Sequence, residues 1–104
     1  MSLVDYQKEV DTWASQFNPS YWPALEQFAR LAEETGEVGR ELNHLHGTKK
    51  KRDETESKLG AELADVIFTA ICIANNHNIN LDEVWQEMMA KKHYGRDAQR
   101  FERK

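Results

Sequence analysis

Apolar residues recur at helical spacing almost from end to end of this chain, and no stretch shows the period of two that marks a half-buried strand. Over about residues 3–17, Tyr6, Val10, Trp13, Ala14 and Phe17 make one stripe, and Asn18–Pro19 stops it. A second helix is expected over about 21–46, with Pro23 suited to its first turn and Gly47 supplying the stop. Its stripe of Leu25, Phe28, Ala32, Leu42 and Leu45 is broken midway by Glu33, Glu34 and Glu37, beside Gly36 and Gly39. Glycine inside a helix costs about 0.5–1 kcal/mol relative to alanine. Two of them here point either to a ligand that approaches the backbone or to a close helix crossing.

A third helix is expected over about 54–76, opened by a capping-box pattern at Asp53 and Glu56. Its segment Ala61–Ala74 reads AELADVIFTAICIA, apolar on every face, which predicts a central helix surrounded by others. Only Glu62 and Asp65 interrupt it. A fourth helix over about 81–94 carries Leu81, Val84, Trp85, Met88 and Met89 behind a second capping-box pattern at Asn80 and Glu83; residues 95–104 read as a tail or lid. The pattern therefore predicts an all-α, four-helix-bundle-like architecture in a single domain, 1–104, with no internal repeat.

Size and charge narrow the setting. A domain of 104 residues buries a modest share of its surface, which makes a homo-oligomer a natural state. One cysteine, no apolar run judged long enough to cross a bilayer and no signal pattern in Met1–Lys8 predict a cytoplasmic protein away from membranes. The net charge of −4 argues against binding to nucleic-acid polymers. Basic charge is local, at Lys49–Arg52 and between Lys91 and Lys104, a distribution suited to a small anion.

The acids carry the chemistry. Residues three or four apart share a helix face, so Glu34 with Glu37, and Glu62 with Asp65, each present two carboxylates side by side. Glu62 and Asp65 lie in the apolar third helix, where an ionised carboxylate costs several kcal/mol, on the order estimated for buried ions, unless it is compensated. Arg30, Arg40 and Lys58 are too few to neutralise Glu33, Glu34, Glu37, Glu62 and Asp65 together. A hard divalent cation, Mg²⁺ or Mn²⁺, suits oxygen-only ligation and commonly bridges protein acids to phosphates.

LAEETGEVGREL followed by GAELADVIF resembles the E-E-x-x-E … E-x-x-D signature of the MazG-like nucleotide pyrophosphohydrolases. The resemblance extends through N-I-N-L-D-E-V to the K-K-H-Y-G-R-D-x-x-R-F ending, and so over nearly the whole chain. It implies an all-α bundle assembling as dimers or tetramers, and cleavage of a nucleoside triphosphate between its α and β phosphates, for clearance of aberrant or excess nucleotides. Residue by residue it implies metal ligands at Glu34, Glu37, Glu62 and Asp65, with Glu33 at the leading, less uniform acid. Lys92 and Arg96 match basic positions that meet substrate phosphates; Lys91 and His93 stand where the family often has asparagine. Mg²⁺-dependent attack of water on the α-phosphorus would then use Glu37 or Glu33 as the carboxylate that activates the water beside the metal, while the Lys49–Arg52 loop reads either as a further phosphate contact or as a solvated linker.

Base recognition needs an apolar slot with aromatic faces. Tyr21 and Trp22, in a loop-like approach to the second helix, are the candidates, whereas Trp13 reads as packing. A catalytically silent nucleotide-binding module is the competing reading. His44 and His46 do not form a zinc motif, and Glu41 with His44 gives a single E-x-x-H where a di-iron bundle needs two. Cys72 reads as an inert small hydrophobe.

Overall fold

A computed structural model describes residues 1–47 and 57–104. Among these residues the chain is helical and contains no strand: α1 spans Leu3–Ala14, α2 Ala24–His46, α3 Leu59–Asn76 and α4 Leu81–Met88. The last runs on into a π-helical segment, Met89–Arg96, and a 3₁₀ turn, Asp97–Gln99. The segment assigned to a tail or lid therefore starts as a continuation of α4. The capping box anticipated at Asp53 and Glu56, and the basic run Lys49–Arg52, lie outside the described residues.

Local chemistry sets the helix ends. Ser2 and Asp5 form a reciprocal capping box: the Asp5 N–H donates to Ser2 Oγ at 3.1 Å and the Ser2 N–H to Asp5 Oδ2 at 2.9 Å. Asp82, in the first turn of α4, accepts from the Leu3 and Val4 N–H groups at 3.0 and 3.3 Å, so one carboxylate serves the positive ends of two helices. Pro23 takes the N-cap of α2 with extended backbone, φ −53° and ψ 148°, which delays the helix to Ala24. α3 closes in a Schellman motif, with the Ile79 N–H on the Ala74 carbonyl, the Asn78 N–H on Asn75, and Asn78 left-handed at φ 56°. Asparagine tolerates that conformation where a β-branched residue would not.

α2 and α3 pack along each other, and α1 lies across α3 and the start of α4. The apolar core is small, with Val10, Ala14, Ile71 and Ala74 as its buried members among the described residues. α3 is not the enclosed helix that its composition suggested: Leu63, Ile67 and Phe68 remain 45, 55 and 40% exposed. The physical reason is that α2 and α1 cover one side of it and no other described element covers the opposite side. The radius of gyration, 17.0 Å, exceeds the roughly 13 Å of a compact chain this long. Gly36 and Gly39 face open space, so neither a crossing helix nor a neighbouring backbone within the chain explains them.

By length and composition α3 also reaches what a membrane span needs, with hydropathy 1.3 over 18 residues, contrary to the expectation that no apolar run was long enough. The core helix of a bundle has the same length and composition. The acids of α3 face the acids of α2, which is the arrangement of a polar seam within a bundle.

The hub of the fold is a polar clasp. Gln7 Nε2 donates to Asn75 Oδ1 and to the Ile79 carbonyl at 2.9 and 2.8 Å, and the Leu81 N–H donates to Gln7 Oε1 at 2.9 Å. Asn75 Nδ2 returns a bond to the Gln7 carbonyl at 3.0 Å, tying α1 to the α3–α4 turn. Removing the Gln7 side chain strands several of these groups, each costing about 1–3 kcal/mol when buried unpaired. Gln7→Ala is expected to lose about 2–4 kcal/mol of unfolding free energy in urea denaturation, against less than about 1 kcal/mol for an exposed α1 change such as Glu9→Ala.

Candidate functional site

Glu34 is 2% exposed on the face of α2 that meets α3, and Arg30, one turn earlier, fixes it through an Nε···Oε1 contact of 2.7 Å. Glu62 and Asp65 occupy consecutive turns of α3 opposite it. One carboxylate oxygen from each of Glu34, Glu62 and Asp65 lies within 4.8 Å of the others. Glu37 adjoins the cluster from α2 by sharing a hydrogen bond with the Glu62 carboxyl. All four of the acids anticipated as ligands thus converge across one helix pair, although Asp65 is exposed and Glu62 only half-buried.

The acids perturb one another. The hydrogen bond that the protonated Glu62 carboxyl donates to Glu37, then desolvation, then the charges of Glu37, Asp65 and Glu34 push Glu62 up to about 7. Among the described residues, the cation fixed against these acids is Arg30, which engages Glu34. Oε2 of Glu34 and Oε2 of Glu62 are buried with no hydrogen-bond partner among the described residues. Around a six-coordinate Mg²⁺ with ligand distances near 2.1 Å, oxygens stand about 3–4 Å apart. An oxygen-only set at this spacing, with two orphaned oxygens turned inward, fits a hard divalent cation.

Beside the acids opens a cavity of about 560 Å³. Glu34 and Asp65 line it, and Trp13, Phe17, Phe68, Tyr21 and Trp22 contribute aromatic walls. Trp13 meets Phe17 and Phe68 edge-on, with ring centroids 5.1 and 5.8 Å apart, and is 53% exposed. Trp13, assigned to packing from sequence, is thus a cavity wall. The Tyr21 hydroxyl donates to Asp11 Oδ1 at 2.7 Å and accepts from Asn75 Nδ2 at 3.1 Å; burial, then the Asp11 bond, push the phenol up to about 12. Its ring lines the cavity while its oxygen serves the fold. Cys72 also lines the cavity, and burial pushes its thiol up, away from the reactive thiolate.

Glu33 is exposed, one position round the helix from Glu34, and stands outside the three-acid cluster. Lys92 and Arg96 lie in the π-helical segment, whose packing is against α4 and the 3₁₀ turn, and Arg96 pairs with Asp97 at 3.2 Å. One chain does not bring them to the acids. Sequence reading passed over Gln27 and Phe68. For Gln27 a signal existed: Gln27, Arg30 and Glu34 fall at i, i+3 and i+7, polar residues spaced like a core stripe. Phe68 was hidden in a helix apolar on all faces.

Comparison with known proteins agrees with the all-helical fold. Residues 24–101 match the family model of the MazG nucleotide pyrophosphohydrolase domain. The chain is 40% identical over 104 residues to the uncharacterized protein YpjD of Bacillus subtilis strain 168, covering 99% of this chain and 93% of that one. The crystal structure of YpjD from Bacillus subtilis superimposes with a TM-score of 0.80 at 38% identity, over 89% of this chain and 96% of the other. That of the Bacillus-conserved MazG protein, a nucleotide pyrophosphohydrolase, superimposes at 0.76 with 40% identity, over 88% of each.

The raised Glu62 carboxyl sets a pH dependence. A group whose folded pKa lies above its unfolded value favours the fold while protonated, fully so below the unfolded value near 4.5, and loses that contribution as pH rises towards about 7. Metal-free protein is expected to show a falling melting temperature between these values, and Glu62→Gln to flatten the fall. Mg²⁺ is expected to restore the melting temperature above pH 7 in the native chain and not in Glu62→Gln. Scanning calorimetry across pH 4–8, with EDTA or with Mg²⁺, checks both.

Proposed function

This chain belongs to the MazG nucleotide pyrophosphohydrolase family, and on that footing we propose that it hydrolyses a nucleoside triphosphate to the monophosphate and pyrophosphate with Mg²⁺ held by Glu34, Glu37, Glu62 and Asp65. One observation carries the reading: three acids with two orphaned buried oxygens meet beside an aromatic-walled cavity. The arrangement has a place for charge and a place for a flat apolar ring, and a nucleotide has both. Mn²⁺ meets the same donor set.

Bound Mg²⁺ would neutralise phosphate oxygens and acidify water. The chain's own residues do the rest. Arg30 stops Glu34 from swinging away from the cluster. Glu37, beside Glu62 and one turn from the exposed Glu33, takes the proton from the attacking water as its oxygen bonds the α-phosphorus. The α–β phosphoanhydride bond breaks, and the electron pair leaves with pyrophosphate. Glu33, at the solvent side, passes the proton outward. The cavity beside Glu34 excludes water from the nucleoside, and Tyr21 and Trp22 bound the base.

Lys92 and Arg96 are the phosphate-binding cations of this reading. Since one chain does not deliver them to the acids, they act on the site of a neighbouring copy. The uncovered faces supply the motive for assembly: Ile67 of α3 and Trp85 of α4 are 55 and 53% exposed, and Phe28 of α2 64%. A homodimer or homotetramer that buries these side chains gains about 25 cal/mol per Å² of apolar surface covered.

Incubation with nucleoside triphosphates and Mg²⁺ in ¹⁸O-water tests the chemistry. Label is expected in the nucleoside monophosphate with unlabelled pyrophosphate; release of orthophosphate, or label in pyrophosphate, contradicts attack at the α-phosphorus. Binding without turnover would make the chain a nucleotide-binding module. Glu34→Gln and Asp65→Asn are expected to lower kcat by at least about 10²-fold, and Arg30→Ala by about 10–100-fold through loss of Glu34 orientation.

A further inference from the structure

The cavity lining holds a polar group that neither the fold nor the proposed chemistry uses. Gln27, on the inner face of α2, is 4% exposed and lines the cavity, yet its Oε1 is buried without a hydrogen-bond partner among the described residues. Native folds pair nearly all buried amide oxygens, so an orphan on a residue that lines a cavity marks a group kept for something that enters. A leucine or methionine would fill the same volume without that deficit. The nearby hydroxyls are already engaged, Tyr21 with Asp11 and Asn75, and Thr69 with the Asp65 carbonyl at 3.0 Å.

Spacing says what enters. Gln27 and Glu34 are seven residues apart on one face of α2, two turns, or about 10.5 Å along the axis. A nucleotide whose phosphates lie against Glu34 and Asp65 spans a comparable length from its 5′ oxygen to the edge of its base. The walls between are Trp13, Phe17 and Phe68, rings able to stack on a flat heterocycle. The geometry points to Gln27 as the residue that reads the nucleobase: its carboxamide accepts an N–H from the base edge through Oε1 and donates from Nε2 to the acceptor beside it. This rests on the triphosphate reading above and adds to it a specificity-determining residue. A carboxamide of this kind pairs with an edge presenting a donor next to an acceptor, as glutamine does with adenine N6 and N7.

The test measures kcat/KM for the native chain, Gln27→Met and Gln27→Glu on ATP, GTP, CTP, UTP and the base-free ribose 5-triphosphate. The native chain is expected to separate the four bases. Gln27→Met, which keeps volume and loses both hydrogen bonds, should compress that separation on the order of 10- to 100-fold while hydrolysis of the base-free triphosphate stays within about twofold. Gln27→Glu, which only accepts, should shift preference towards bases with an exocyclic amine, adenine and cytosine, and it reads the same question should Gln27→Met fail to fold. Equal kcat/KM on all bases by the native chain, or native ratios retained in the folded variants, overturns the assignment. Should the native chain hydrolyse no triphosphate, the proposed function fails, and Gln27 is then judged by quenching of tryptophan fluorescence on titration with the four nucleosides. A tenfold or greater loss of affinity for the preferred nucleoside in the variants supports its role; unchanged affinity refutes it.

Discussion

Carboxylates facing each other across the α2–α3 seam repel, and that repulsion is the constraint on which the rest of the molecule turns. Packing two helices normally lowers free energy by removing apolar surface from water; here the same approach gathers Glu34, Glu37, Glu62 and Asp65 and desolvates part of them. Arg30 answers one of these charges. The protonation of Glu62 near neutrality answers another, at the expense of a titration within the working range of most cells. Two orphaned oxygens persist, and a divalent cation is the group of smallest size and highest charge that resolves both problems together.

The remainder of the fold reads as support for that seam. The polar clasp of Gln7 and Asn75 holds α1 against the end of α3, which places Trp13 and Phe17 over Phe68 and so builds the aromatic side of the cavity. Asn75 also binds the Tyr21 hydroxyl, so the same residue that anchors the clasp sets one wall of the cavity. Apolar stabilisation within one chain is modest, with few apolar side chains buried and large ones left open on α2, α3 and α4. On the proposed reading, a site of mutually repelling acids on so small a core would gain from further copies of the chain, through stability as well as through Lys92 and Arg96.

What was legible in the sequence follows from periodicity. Helix number and order came from apolar spacing, and the acidic pairs from their three-residue separation within otherwise apolar turns. Helix ends were less legible: Pro23 supports both a first-turn and an N-cap position, and only its extended ψ distinguishes them. The composition of α3 concealed more. A helix apolar on every face looks the same whether its own chain or another copy covers the far side, which is why its enclosure was expected and its exposure found. The aromatic cavity was half visible, since Tyr21 and Trp22 sit in a loop, whereas Trp13 and Phe68 share helix stripes with true packing residues. Gln27 had the spacing of a buried position, and its burial and orphaned oxygen separate it from an ordinary surface glutamine.

The central claim is that these acids are arranged for a cation. Titration of the metal-free protein with Mn²⁺, followed by the loss of the free-ion signal in electron paramagnetic resonance, addresses it without substrate. Saturable binding that disappears in the double variant Glu62→Gln/Asp65→Asn and is displaced by excess Mg²⁺ is the result this account predicts. Binding of equal strength in the double variant, or none in the native chain at neutral pH, would contradict it.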